Sequence, residues 1–218
     1  ASQQWFEIAD LQNLKPAEFD HVGLEEVNQK QIPGMQAVKI YSKLRVLGKP
    51  GVGKTIFLQH LAIQCNRGKF ATNQVPIFIA LRDFAEESRD NNKFSLLNYI
   101  HRALLTSGIS HPSVIESLLK AGRVLLLLDG MDEVPNQDIT AVLREIRKFS
   151  EKYHKNHFVT TCRTAARKLQ LRGFTDVEIA PFTQAQITTF ARKWFVTLTK
   201  TTVKLAQKQS VQFMQKLE

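Results

Sequence analysis

The sequence predicts an α/β domain, a parallel sheet with helices on both faces. Three observations predict it. Short apolar runs alternate with segments of helical period, the order that yields strand–helix–strand units. The run "VLLLL" (124–128) does not alternate with polar residues, as expected of a strand buried on both sides. A glycine-rich octapeptide, "GKPGVGKT" (48–55), stands between the first strand of the series and its first helix.

The first forty residues are polar and punctuated by Pro16, Pro33 and Gly34. They read as a short helix near "LEEVNQKQ" and a turn at "IPGM". "KLRVLG" (43–48) reads as the first strand. "KTIFLQHLAIQC" (54–65) is helical, with Ile56, Phe57, His60, Leu61 and Ile63 near one side. "VPIFIAL" (75–81) is the second strand, and "FSLLNYIHRALL" and "SVIESLLKAG" are helices. "RVLLLLD" (123–129) is a strand rather than a helix because it is short and follows Gly122. "DITAVLREIRKFSEKY" repeats Ile139, Val142, Leu143, Ile146 and Phe149 at helical spacing. "HFVTTCR" (157–163) and "DVEIA" (176–180) complete the strands. After Pro181, "FTQAQITTFARKWF" forms a helix opened by a Thr183–Gln186 capping box, with Ile187, Phe190, Ala191 and Trp194 as its apolar side. The tail "TKTTVKLAQKQSVQFMQKLE" is helical but polar, and its Lys200, Lys204 and Lys208 share one face, read as a solvated stripe. The chain starts without Met and ends without a helix-stop signal, which reads as a piece of a longer protein.

Composition narrows the function classes. With 218 residues, one domain with appendages is expected. Val124–Leu128 falls far short of the roughly 20 apolar residues that a membrane helix needs, and the polar, acidic N-terminus is no signal peptide. Cys65 and Cys162 lie too far apart in sequence for a metal-type pair and read as buried thiols of a cytoplasmic protein. Net charge is +10, with three lysines against six carboxylates in the first forty residues, so those carry −3 and the remainder +13. A basic body suits polyanions, including nucleotides. Nucleic acid is the disfavoured choice among them, because no aromatic–basic recognition motif is present.

The octapeptide fits G-x-x-x-x-G-K-[ST] without a mismatch, between a strand and a helix as the pattern requires. Gly48, Lys49, Pro50, Gly51, Val52 and Gly53 form a loop whose N–H groups turn inward on phosphate oxygens. Lys54 supplies charge to the terminal phosphates, the Thr55 hydroxyl binds Mg²⁺, and Ile56 continues the helix whose positive end faces the anion. Asp129 ends a strand near this loop and is placed to hold Mg²⁺ through water. Ligands of such sheets lie beyond the carboxyl ends of the strands, which puts Gly48, Asp129 and Arg163 on one edge. Arg163 there reaches towards the terminal phosphate. Adenine is favoured over guanine as the base, since no Asn-Lys-x-Asp segment occurs; "CNRGKF" and "NNKFSL" lack the acid.

In "LLLLDGMDEV" (125–134), Gly130 fills the position directly after Asp129, where many P-loop ATPases carry a catalytic glutamate. Glycine can take φ > 0 and turn the chain sharply. That turn brings Asp132 or Glu133 back towards the terminal phosphate. Glu133 has the longer reach and is favoured to orient the attacking water, with Asp132 holding the turn or the metal's water shell. Lys54, Glu133, Asp132 and Arg163 are then the catalytic candidates, and Thr55 and Asp129 the metal candidates.

Taken together, "VLGKPGVGKT", "LLLLDGMDEV", "FVTTCR" and "PFTQAQITTFARKWF" resemble a NACHT domain, of the STAND class of signalling P-loop NTPases, over roughly residues 30–198. The D-G-x-D-E form after an apolar strand is its most specific mark. The resemblance implies a P-loop NTPase sandwich at 41–181, preceded by a polar, partly helical segment at 1–40 and followed at 182–218 by the start of a helical lid. It implies ATP/ADP and Mg²⁺ as ligands, and slow hydrolysis as a nucleotide-gated switch in signalling or defence. It also implies sensor and effector regions in a longer chain, and nucleotide-dependent self-association. It makes Arg163 a sensor arginine, and lets "KQIPGM" (30–35), with Pro33 and Gly34, help cradle the base. A module that holds nucleotide without turnover would use the same residues.

Overall fold

The computed structural model describes residues 31–91, 93–108 and 112–199. The compact unit that begins at Pro33 carries all the elements below. A helix, α1 (Gly34–Ile40), leads into strand β1 (Lys43–Gly48) and helix α2 (Lys54–Asn66). Strand β2 (Val75–Ala80) runs without a loop into α3 (Leu81–Asp90), which is followed by α4 (Leu96–Thr106) and α5 (Pro112–Lys120). Strand β3 (Val124–Asp129) ends in a 3₁₀ turn, Met131–Glu133. Helix α6 (Ile139–Lys152), strand β4 (His157–Arg163), strand β5 (Thr175–Glu178) and helix α7 (Gln184–Thr199) complete the order.

The five strands form one sheet in the order β2-β3-β4-β1-β5, and every neighbouring pair is parallel. Such pairs need crossovers; helices supply them except from β4 to β5, where a 3₁₀ turn (Thr164–Ala166) and a loop do. Strands β1, β3 and β4 lie inside the sheet and are almost wholly buried. Strand β2 lies outside: Phe78 is 41 % exposed there, and Pro76 is tolerated because an outer strand can spare an N–H. Alternate residues divide between the faces. Leu47, Leu126, Leu128 and Phe158 join Phe84, Leu96, Ile100, Val142, Ile146 and Phe149 of α3, α4 and α6 in one core. That leaves Val46, Leu125, Leu127 and Val159 to the side of α2, which packs across β1, β2, β3 and β4.

Several local expectations change. The side that α2 buries is Leu58, Leu61 and Cys65, whereas Ile56 is 66 % and Ile63 47 % exposed, so of the expected set only Leu61 is buried. Apolar residues surround this helix, and its sequence alone does not select a face. Gly34 opens helix α1 instead of a turn, with Pro33 before it as N-cap. Helix α3 was not foreseen, although Leu81, Phe84, Ala85 and Ser88 are buried at helical spacing. Its remaining residues are all charged, and no loop separates it from β2. Phe84 anchors it, edge-on to Tyr99 with ring centroids 5.4 Å apart. In α7 the capping box forms, Thr183 N donating to Gln186 Oε1 at 2.8 Å and Gln186 N to Thr183 Oγ1 at 3.3 Å. Of its expected apolar side, Ala191 is buried but Phe190 and Trp194 are exposed. The helix expected over "LEEVNQKQ" and the tail beyond Thr199 lie outside the described residues, apart from Gln31, which is not helical.

Arg45 sits in mid-strand on β1 and is 1 % exposed. Its register partner on β5 is Asp176. Nε donates to Asp176 Oδ1 at 2.7 Å and Nη2 to Oδ2 at 2.5 Å, while Nη1 donates to the Leu169 carbonyl. The hydrogen bond to Asp176, more than any other influence, raises the guanidinium pKa against the opposing effect of burial. One arginine thus fixes both the edge strand and the chain that leads to it. Removing one partner of a buried pair strands the other charge. Asp176→Ala is expected to lower unfolding free energy by about 3 kcal/mol, read as a reduced midpoint in urea denaturation.

Candidate functional site

The loop between β1 and α2 is built by its glycines. Gly51 and Gly53 have φ of 76° and 98°, values that a side chain disfavours. A Cβ on Gly48 would come 2.6 Å from Val52 Cγ1, so the first glycine is needed for closeness rather than for a positive φ. Gly53 is the N-cap of α2 and provides no side-chain cap, and the first turn has no acid. The positive end of α2 is therefore open to an anion. Lys54 Nζ folds back over the loop, donating to the carbonyls of Gly48 and Lys49, each at 3.1 Å. The Thr55 residue beside it is exposed.

Strand β4 sits between β1 and β3, and its register pairs Gly48 with Arg163. The expected edge therefore exists: Gly48, Arg163 and Asp129 end three successive strands. Two side-chain links tie β4 to the exit of β3. Thr161 Oγ1, buried, donates to Asp129 Oδ1 at 2.5 Å and accepts from Gly130 N at 2.8 Å. Asp132 Oδ1 accepts from Arg163 N at 2.8 Å, and its Oδ2 pairs with Arg163 Nε at 2.9 Å. The Asp132 side chain is only 8 % exposed, against 50 % for that of Arg163.

Gly130 takes φ 78°, the sharp turn expected after the strand. A Cβ there would meet Glu133 Oε2 at 3.0 Å, so the Glu133 side chain lies back over the glycine while remaining exposed. Gly34 lies against the first turns of α2, where a Cβ on it would be 2.6 Å from the Phe57 ring. The turn and the glycine-rich loop thus lie at the same end of the sheet, with β4 between the strands that lead into them.

Thr161 was missed by sequence reasoning. Its only signal was a hydroxyl on a buried strand, which is read as β-propensity unless the partner is known. Arg82 was missed with α3. It pairs with Glu86 at 3.0 Å, and that bond, more than the nearby carboxylates that include Glu133, raises its pKa. Cys162 is fully buried between Thr161 and Arg163, and burial above all pushes its thiol to about 11.

The family model for the NACHT domain matches residues 42–197. Among solved structures, domain III of the replication initiation protein DnaA from Thermotoga maritima aligns with a TM-score of 0.52 at 14 % identity, over 90 % of this chain and 77 % of that one. AMPPCP-bound DnaA from Aquifex aeolicus gives 0.46 at 17 % identity, over 73 % of this chain and 46 % of that one. PCH-2 from C. elegans gives 0.45 at 14 % identity, over 76 % and 42 %. The chain spans less than half the length of these last two. At 14 % identity the likeness to the Thermotoga domain is one of fold alone, a parallel α/β sandwich. Curated proteins provide no match.

A thiol held near 11 stays protonated and unreactive across the neutral range. Iodoacetamide at pH 8 is expected to leave Cys162 unlabelled in the folded protein and to label it after denaturation, as read by peptide mass spectrometry.

Proposed function

The chain belongs to the NACHT domain family, and from that premise we propose that it binds ATP and ADP with Mg²⁺ and hydrolyses ATP slowly, as the switch module of a longer signalling or defence protein of the cytoplasm. The observation that carries this reading is the phosphate loop: two glycines in left-handed conformation, an uncapped helix end and Lys54 poised above them. Phosphoryl transfer asks mainly for positioning and charge stabilisation, and this set offers both. Lys54 would exchange its two carbonyl partners for phosphate oxygens, a stronger charge-assisted pairing. Sensor and effector regions in the longer chain, self-association with nucleotide, and a lid beginning at residue 182 belong to the same proposal. Among the described residues no helix is long and apolar enough to cross a membrane.

The donor set suits Mg²⁺. The Thr55 hydroxyl and the Asp129 carboxylate are hard oxygen donors, and Thr161 occupies only one Asp129 oxygen. Among the described residues no group of three or more His, Cys, Asp or Glu could hold a metal alone. Mg²⁺ does not require one, since it keeps several waters and leans on substrate phosphates. When bound, it would neutralise charge on those phosphates. The catalytic roles follow from who is engaged. Asp132 is committed to Arg163, whereas Glu133 is exposed over Gly130 and free to orient a water. Pro33 and Gly34, the latter against Phe57, are the candidates to flank the base.

A second reading, nucleotide held without turnover, has one observation in its favour. The Arg163 guanidinium is paired with Asp132, so reaching the terminal phosphate would require breaking that pair.

Calorimetric titration with ATP and phosphate-release assays test these roles. Lys54→Ala is expected to weaken ATP binding by about tenfold or more. Glu133→Gln should keep binding and lose turnover by about a hundredfold, while Asp132→Asn should lower thermal stability as well. Absent turnover in the wild type, together with ADP retained through purification, would select the second reading; absent binding by both nucleotides would end the first as well. Thr161→Val removes both hydrogen bonds that its hydroxyl makes to the β3 exit, at a cost of about 1–3 kcal/mol. It should raise the Mg²⁺ concentration needed for ATP binding several-fold, and Thr161→Ser should restore it.

A further inference from the structure

A cleft of about 250 Å³ lies away from the phosphate loop, between α6 and the chain that joins β4 to β5. Helix α6 contributes Leu143, Arg144 and Arg147, and the connection contributes Leu171 and Arg172. No carboxylate lines it. Leu171 is 6 % exposed and belongs to the core that α3, α4 and α6 share, which sets the cleft on the face of the sheet opposite α2.

Of the nine arginines outside the cleft, Arg67, Arg123, Arg167 and Arg192 have no ion pair among the described residues, and the other five are closely paired. Arg45, Arg82, Arg89, Arg102 and Arg163 each face a carboxylate at 3.0 Å or less. Arg144 and Arg172 have no ion-pair partner among the described residues. Arg147 has only Glu151 at 3.9 Å, with both side chains about half exposed or more, a pair worth little. A solvated helix face would explain Arg144 and Arg147 alone. It does not explain Arg172, which arrives from a separate segment to the same concavity. Like charges gathered at one place repel, and an anion that binds there removes the repulsion.

We propose that this cleft docks an acidic peptide segment of a protein partner, one in which carboxylates flank an aliphatic side chain. Guanidinium groups match carboxylates in bidentate fashion. Leu143 and Leu171 provide an apolar floor for the aliphatic residue between them. Arginine clusters are a recurrent mode of acidic-motif recognition. Single-stranded nucleic acid fits less well, because its bases stack on aromatic side chains and none lines the cleft. The inference does not depend on nucleotide turnover, since none of these residues belongs to the loop or to the β3 exit.

The test is fluorescence anisotropy of a labelled peptide of about ten residues, with a central leucine between paired glutamates, at physiological salt, where long-range charge is largely screened. The wild type is expected to bind it in the micromolar range. Arg144→Glu with Arg172→Glu should weaken binding by about tenfold or more, and a charge-matched reversal on the other face, Arg67→Glu with Lys69→Glu, by less than about twofold. Replacing the peptide's leucine by serine should also weaken binding. Arg144→Gln with Arg172→Gln serves if the reversal variant does not fold, with the melting temperature of each variant as the check. No binding below millimolar, equal losses in the control, or stronger competition by single-stranded DNA or inorganic phosphate than by unlabelled peptide would each overturn the proposal.

Discussion

The site depends on one strand lying where it does. Strand β4 separates the strand that ends in the phosphate loop from the strand that ends in Asp129, and it is bonded to both. Its register with β1 sets Arg163 beside Gly48. Its Thr161 hydroxyl holds Asp129 and the amide of Gly130, and its Arg163 holds Asp132. These contacts come from residues 161 and 163 on a strand whose side chains alternate, so a slip by one residue would turn both away from their partners. The positions of the acids relative to the phosphate loop are therefore a property of β4 pairing, and only secondarily of the loop's own glycines.

What sequence alone revealed, and what it did not, follows the range of the interactions. The strands are legible because their signals are local: β1 and β4 run over the residues expected, β2 and β3 differ by one, and β5 begins one residue earlier and ends two earlier. Gly51, Gly53 and Gly130 take the turns expected of them, since a glycine at φ > 0 answers to its immediate neighbours. Long-range partners did not. Thr161 meets Asp129 across 32 positions and Arg45 meets Asp176 across 131, and nothing beside either residue announces the contact. Helix α3 was hidden differently. Its four buried positions have the helical period, but Ala85 and Ser88 add little hydrophobic signal, and the adjoining β2 drew the apolar run to itself. In α2 the failure was the reverse, as apolar residues on several sides left the choice of face to packing.

Charge placement separates two kinds of arginine. Arg45 is buried, and its pairing with Asp176 joins the last strand to the sheet. The Asp138 partner of Arg89 is only 7 % exposed, and that pair ties α3 to the start of α6. Breaking either leaves a poorly solvated charge, so these pairs act as fasteners whatever their net worth against an apolar substitute. The arginines around the α6 cleft stabilise nothing comparable.

The spacing in D-G-x-D-E has a geometric reason. The chain leaves β3 through Gly130 into a single 3₁₀ turn closed by Glu133 N donating to Gly130 O at 2.9 Å. With three residues per turn, successive side chains diverge by about 120°. Met131 is fully buried and anchors the turn in the core. Asp132 is then directed at β4 and captured by Arg163. The remaining direction belongs to Glu133, which lies over the glycine and stays exposed. A glutamate directly after Asp129 would need a Cβ where Gly130 has φ 78° and where the Glu133 carboxylate already lies. The gap between the first acid and the later pair is thus the length needed to give the core, the neighbouring strand and the open edge one side chain each.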